Sequence, residues 1–472
     1  MDRAEIQRIV EEVIKAVSGS KSLTLPPEAK GDVLFDRMED AIEQAVISQK
    51  RLQAMGLDKR REIIEAMRKA ARENAEKLAK LAWEETGMGR WEDKVQKNLL
   101  AANKTPGVED IQPVIAYTGD RGLTLVERAP FGVIGAITPS TNPTSTIINN
   151  SISIIAAGNS VVFAPHPAAK RCSQKTMLIL QRAIEQVGGP KSLIVSVKEP
   201  SLEEAGKLFE DKRVKLLLVT GGPAVVRRAM QCGKKVIAAG PGNPPVVVDE
   251  TALFPKCAYD IISGASFDNG ILCTAEKEVI VVEKAKDKFL EAMRSDKRAY
   301  ELTSSQMDEL AKINIKEPGR PGCEGVMNRT YIGKDAKVIA ESIGLKVPEE
   351  VRLLWGVVSK NHPYIWTEQL QPVLPVTFVK DIDEAIEFAV SVEHENHHTF
   401  IMHSLNVENL TRMARASQAS IFVKNGPSYM GLGMGEGYAT LSIATPTGEG
   451  LTSAKTFTRP LRCVLVDYFR IA

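Results

Sequence analysis

The chain has 472 residues, more than a single hydrophobic core usually organises, so two or three domains are expected. Hydrophobic residues make up 43% and charged residues 25%, the balance of a soluble globular protein, and a net charge of +2 gives nucleic acid or an anionic membrane no electrostatic hold. The six cysteines show no CxxC spacing and are too few for a disulfide framework at this length, which fits a reducing cytoplasm.

Residues 1–18, MDRAEIQRIVEEVIKAVS, place Ile6, Ile9, Val10, Val13, Ile14 and Val17 at helical spacing, one apolar stripe on a charged helix. No apolar core marks this stretch as a secretory signal. Residues 19–35, with Gly, Ser and a Pro pair, read as a linker. The stripe either folds back on the main body or docks on a partner. Residues 36–103 are helical by apolar spacing, as in MEDAIEQAVISQKRL and KLAKLAWEETG. From residue 131 strands and helices alternate. FGVIGAITP, NSVVFAPH, SLIVSVK, VKLLLVTGG and KKVIAAG are buried strands with helices between them, which predicts a doubly wound parallel sheet. The run IINNSISIIAAGNSVVFA is broken by Asn and Ser and reads as buried helix and strand rather than a membrane span.

Ligands of such sheets bind at the carboxyl ends of the strands, here TPSTNP, APHP, VTGGP and AAGPGNPP. Small residues there let backbone approach a ligand closely. VTGGP is no GxGxxG fingerprint. After residue 241 a second α/β unit follows, with strands in EVIVVE, RLLWGVVSK, VLPVTFV, HTFIMHS and SIFVKN. GLTLVERA and CVLVDYF alternate as well and are expected to pair as a small added sheet.

In SFDNGILCTA, Cys273 stands on a short connection between a helix, expected to stop at Asn269-Gly270, and the strand KEVIVVE. An isolated cysteine is commonly a small buried hydrophobe. A thiol with an oxyanion donor supports carbonyl chemistry, and Asn142, at a strand end in PSTNP, can be that donor. His394, His397, His398 and His403 cluster in EHENHHTFIMHS, but neighbours on a strand point to opposite faces, so no metal site is expected.

Residues 36–472 resemble the aldehyde dehydrogenase superfamily, and within it the CoA-acylating branch of bacterial microcompartments. The resemblance is carried in order by ETGMGR, ITPSTNP, GNSVVFAPHPAAK, VTGG, AAGPGNPPVVVDE, GASFDNGILCTAEK, QPVLPV, HHTFIMHS, FVKNGP and TPTGEG. It implies an α/β aldehyde dehydrogenase fold with three parts. These are a doubly wound cofactor-binding domain (36–112 and 130–240), a catalytic domain (241–455) and oligomerisation strands (113–129 and 456–472). It implies Cys273 as nucleophile, Asn142 as oxyanion donor and Glu368 on the nicotinamide ribose. Thr138, Ser140, Pro165, His166, Gly221, Gly222 and Gly240 would meet the rest of NAD.

Hydrolytic relatives activate water with a Glu in a Glu-Leu-Gly-Gly segment. Here Ala238-Ala239-Gly240-Pro241 is the matching segment, with Ala238 in place of the base. Water, with a pKa near ~15.7, needs that base, whereas a thiol near ~8.5 does not. The acyl acceptor implied is therefore coenzyme A, and the substrate a short-chain aldehyde such as propionaldehyde or acetaldehyde. Ala164-Pro165-His166-Pro167 replaces the Lys-Pro-Ser-Glu that usually holds the adenosine ribose. By the same resemblance, residues 1–18 are an encapsulation helix for a microcompartment shell protein, the location is the microcompartment lumen in the cytoplasm, and the assembly is a homo-dimer or tetramer.

Overall fold

The structure, a computed structural model, describes residues 26–471. The helix expected over 1–18 and the first part of the linker lie outside the described residues.

Four amphipathic helices, Met38–Gln53, Leu57–Glu73, Ala75–Thr86 and Trp91–Lys104, open the chain. Each buries a stripe, for example Ile63, Ile64, Met67 and Ala71 on the second. The first sheet is six-stranded and parallel. Its order is Leu34–Phe35, Ile194–Val197, Ser160–Pro165, Val133–Thr138, Val214–Thr220, Lys235–Ala239. The five predicted strands are all present, and the short Leu34–Phe35 is added at the edge. Alternation sorts their side chains: Ile134, Val161, Phe163 and Leu218 pack on one face, and Val133, Val162, Val219 and Ala238 on the other. The strand order reverses beside Val133–Thr138, which puts a switch point next to the carboxyl end of that strand.

The second sheet is seven-stranded and parallel, ordered Ala299–Leu302, Leu353–Val357, Val373–Val379, Glu278–Val282, Pro245–Val248, Thr399–His403, Ile421–Lys424. Pro245–Val248 and Ala299–Leu302 add to the five strands read from sequence. The third sheet is antiparallel: Gly122–Pro130 lies between Ile115–Gly119 and Thr458–Val466, so the two alternating stretches do pair. It leaves Ile115, Tyr117, Leu461, Val464 and Val466 exposed.

Two local expectations change. The helix before Cys273, Lys256–Ser266, ends ahead of Asn269-Gly270, because Asp268, Asn269 and Gly270 all have left-handed φ (48°, 55° and 70°). His397 and His398 precede the strand Thr399–His403 rather than lying on it. His394, Glu395 and His397 have positive φ, forming the turn that joins the helix Ile382–Val392 to that strand. Among the described residues no group of three or more His, Cys, Asp or Glu converges as metal ligands would.

Candidate active site

The loop that carries Cys273 is held at each end. Asp and Asn tolerate left-handed backbone because their short polar side chains bond locally. Here those side chains bond outward instead. Asn269 Nδ2 donates to the Gly333 carbonyl at 3.0 Å and to Asp335 at 2.8 Å. The Asp268 carboxylate, fully buried, accepts from the Arg90 N–H at 2.7 Å, from Lys94 Nζ at 3.0 Å and from Lys97 Nζ. The Asp268 N–H donates to Asp93 at 2.9 Å. A Cβ at Gly89 would stand 2.0 Å from the Asp268 carboxylate, so only glycine lets the two segments approach. Downstream, Lys277 Nζ donates to the Gly270 carbonyl at 2.6 Å.

Cys273 is half-buried on this loop. Burial pushes its thiol up to about 12, and the negative charge of Glu368 adds to that. Lys277 and Lys97 act in the opposite direction. Among the other cysteines, Cys172 and Cys257 are buried and likewise hard to ionise, while Cys323 and Cys463 are exposed. Glu368, on the loop before the strand Val373–Val379, has a carboxyl raised by burial, with Lys277 and a hydrogen bond from the Gly242 backbone pulling it down. Gly242 marks a second close approach. A Cβ there would come 2.9 Å from the Cys273 carbonyl oxygen and 2.9 Å from the His398 ring. His398 is buried, bonds Thr399 Oγ1 through Nδ1 at 2.9 Å, and is held neutral by burial at about 4.

Asn142 caps the helix Pro143–Ala156, whose residues are all buried and whose first position is a proline. Its Oδ1 accepts from Lys97 Nζ, and its Nδ2 donates to Thr141 Oγ1 at 3.2 Å. Asn142 and the Cys273 loop thus share one ammonium, Lys97, whose charge also acts on the thiol.

The expected cofactor contacts gather at the carboxyl ends of adjacent strands of the first sheet. Thr138 and Pro165 are register partners, and Ser140 follows on the next loop. Gly221 and Gly222 lead into the helix Pro223–Met230, and Gly240 follows Lys235–Ala239. The exposed His166 turns its ring to accept from the Ala168 N–H at 3.1 Å, capping the next turn. Thr138 Oγ1 is buried with no hydrogen-bond partner among the described residues. Between the two α/β units lies a cavity of about 840 Å³ lined by Arg227, Gly240, Pro241, Glu324, His394 and Pro446.

The Ala238 methyl is fully buried with Val162 and Val219 against the first sheet, and the Ala238 N–H donates to Thr447 Oγ1 at 3.0 Å. By strand alternation Ala239 faces the other side, one residue before the cavity-lining Gly240. Whichever of the two is compared, the strand end carries no acid.

Several charged residues escaped the sequence reading. Glu276, Lys277 and Glu278 are all buried. Glu276 accepts from the Ser428 N–H at 2.8 Å and from its hydroxyl at 2.7 Å, and burial raises its carboxyl to about 7. The Glu278 carboxyl is raised further by burial and has no hydrogen-bond partner among the described residues. Lys94, Lys97 and Asp268 were missed too. For Glu276, Lys277 and Glu278 the available signal was three consecutive charges, EKE, running into an otherwise apolar strand.

With both sheets and the cysteine loop in place, the family follows. Residues 35–434 match the model of the aldehyde dehydrogenase family, and the chain belongs to it. Within that family it stands beside CoA-acylating enzymes. It is 48% identical to the acetaldehyde dehydrogenase (acetylating) EutE of Salmonella typhimurium, covering 100% of each chain. A propionaldehyde dehydrogenase from the Clostridium phytofermentans fucose utilisation bacterial microcompartment superposes with a TM-score of 0.90 at 44% identity, over 93% of this chain and 100% of that one. The Rhodopseudomonas palustris propionaldehyde dehydrogenase, solved with bound CoA and an acylated cysteine, gives 0.88 at 44% identity, over 92% and 98%.

Proposed function

We propose that this protein oxidises a short-chain aldehyde, acetaldehyde or propionaldehyde, to its acyl-CoA with NAD, through a thioester on Cys273. The observation that carries the reading is the half-buried Cys273 on a tied loop, under the opposed charges of Glu368 and Lys277, in a fold whose relatives include one with CoA and an acylated cysteine. The residues at the sheet's carboxyl edge fit a dinucleotide: Thr138 offers an unpartnered buried hydroxyl, Gly221 and Gly222 leave the start of the next helix unobstructed, and Glu368 stands on the cysteine side. When bound, NAD supplies the acceptor for the aldehyde hydrogen.

The chain's own residues do the rest. At rest burial and Glu368 keep the Cys273 thiol protonated, which protects it. Glu368 would help hold the cofactor, and with its charge so occupied Lys277 and Lys97 would favour ionisation of the thiol. The thiolate adds to the aldehyde carbon, and the Asn142 amide donates to the oxygen that becomes an alkoxide. After oxidation the thioester persists, because the strand end Ala238-Ala239 offers no base to water. The thiol of CoA takes the acyl group and Cys273 leaves as thiolate.

Residues 36–112 with 130–240 form the cofactor-binding domain and 241–455 the catalytic domain. The exposed apolar strands of 113–129 and 456–472 support assembly of copies as a dimer or tetramer. Residues 1–18 carry the enzyme to a microcompartment shell, which would confine a volatile aldehyde. The amphipathic stripe and the microcompartment relative support this.

The test is NADH release across an aldehyde series with and without CoA. Steady turnover to acyl-CoA is expected with CoA, and about one NADH per site without it. Sustained acid release without any thiol, or turnover by Cys273→Ala, sinks the mechanism. Deleting residues 1–18 should leave turnover unchanged and end co-purification with shells; an inactive truncation refutes the targeting role.

A further inference from the structure

Asn142 can serve an alkoxide only if its amide points the right way round. An amide presents an oxygen that accepts and a nitrogen that donates, and the two ends have nearly the same shape. Thr141 Oγ1, which meets the nitrogen at 3.2 Å, does not choose between them, because a hydroxyl both donates and accepts. The Asn142 oxygen meets Lys97 Nζ, and an ammonium only donates. The flipped amide would set its NH2 against that ammonium.

Lys97 is itself fixed. It lies fully buried on the helix Trp91–Lys104 and is anchored on the buried Asp268. Lys94, one turn earlier, bonds the same carboxylate at 3.0 Å and the Thr141 carbonyl at 3.4 Å. Two ammoniums on one carboxylate leave positive charge beside the amide; burial and the neighbouring Lys94 lower Lys97 to about 8, against the pull of Asp268 and Asp93, so it stands as the donor-only ammonium below that pH. That charge also reaches the Cys273 thiol.

We infer that Lys97, anchored on Asp268, is a positioning residue for Asn142: it holds the amide oxygen, so that the NH2 hydrogen not bonded to Thr141 is presented to the alkoxide. This rests on the proposed cysteine mechanism and adds to it the reason a lone asparagine donor keeps one orientation. It also places the fixing element on the same carboxylate that ties the cysteine loop, so that nucleophile and donor are set together.

A double-mutant cycle on the full chain tests it, reading kcat, KM for aldehyde and NAD, and melting temperature. Lys97→Gln replaces the donor-only group with one that both donates and accepts. It should lower kcat about 10–30-fold, less than loss of the donor itself, with both KM values within about twofold. In an Asn142→Ala background the same substitution should cost several-fold less, leaving only the loss of the Lys97 charge at the Cys273 thiol, since no amide remains to orient. Additive losses overturn the assignment while leaving the cysteine mechanism standing. Unchanged kcat in a folded Lys97→Gln does the same. If Asn142→Ala alone retains near-normal kcat, the donor role and this proposal fall together. Should Lys97→Gln not fold, Lys97→Gln with Asp268→Asn, which removes one charge of each sign, carries the same cycle. Failure of both to fold assigns Lys97 to the stability of the charge cluster and overturns the proposal.

Discussion

At the scale of single residues, the site depends on one half-buried carboxylate opposing one half-buried thiol. Glu368 is the second cause, after burial, of the high thiol pKa of Cys273. Removing its charge lowers that pKa, so at a fixed pH between 7 and 9 more thiolate is present. Glu368→Gln is therefore expected to be alkylated by iodoacetamide several-fold faster than wild type without cofactor, while the stimulation by NAD shrinks. An unchanged alkylation rate would detach Glu368 from the thiol. The sequence placed Cys273 on its loop through the helix pattern and the β-branched strand around it. It did not reveal the charge state, because Lys97, Asp268 and Glu368 meet only after long-range folding and each looks like an ordinary surface charge in its own segment. Glu276 and Glu278 were hidden for the same reason: alternation marks burial by apolar residues and is silent about a buried acid.

At the scale of elements, close approach sets the geometry. The segment after strand Lys235–Ala239 runs against the cysteine loop at Gly242, and a methyl there has the Cys273 carbonyl on one side and the His398 ring on the other, each at 2.9 Å. The backbone on one side cannot yield cheaply. Gly242→Ala should displace the loop and lower kcat by about 10²-fold, the usual scale for an ångström misplacement, with melting shifted by only a few degrees. Near-wild-type kcat would show the loop to be softer than it looks. The strands of both sheets were legible wherever an apolar run exceeded four residues. The exceptions have physical reasons. Leu34–Phe35 is too short to show a period, Pro245–Val248 runs on directly from the Gly- and Pro-rich strand end AAGPGNPP, and Ala299–Leu302 is an edge strand with mixed exposure. The helix Lys256–Ser266 stops early because the ties of Asp268 and Asn269 to other segments outweigh continued helix, which local sequence does not record.

At the scale of the whole molecule, buried acids tilt stability against pH. Glu276 ionises near 4.5 in an unfolded chain and near 7 in the fold. Between those values the folded state binds the extra proton. The stability it brings is present below 4.5 and is lost as pH rises through 7, by about 3 kcal/mol at most. Glu276→Gln should therefore melt several degrees above wild type at pH 8 and nearly with it at pH 4.5. Equal melting at both values would mean the carboxylate is better solvated than its burial implies. His398 and His403, lowered to about 4 and about 3 by burial, act on the other side: their contribution is present above 6.5 and is lost as pH falls toward those values.

The antiparallel sheet has a consequence for how the molecule is made. Gly122–Pro130 pairs along its whole length with Thr458–Val466, so about 330 residues of synthesis separate the two strands. At about 5–20 residues per second the ribosome holds the earlier strand without that partner for roughly 15 to 65 seconds. Both α/β units can form in this interval, while one edge of Gly122–Pro130 waits for its partner strand. Completion of this sheet is thus a late checkpoint. A chain that stops short of Thr458 leaves Gly122–Pro130 without that partner strand.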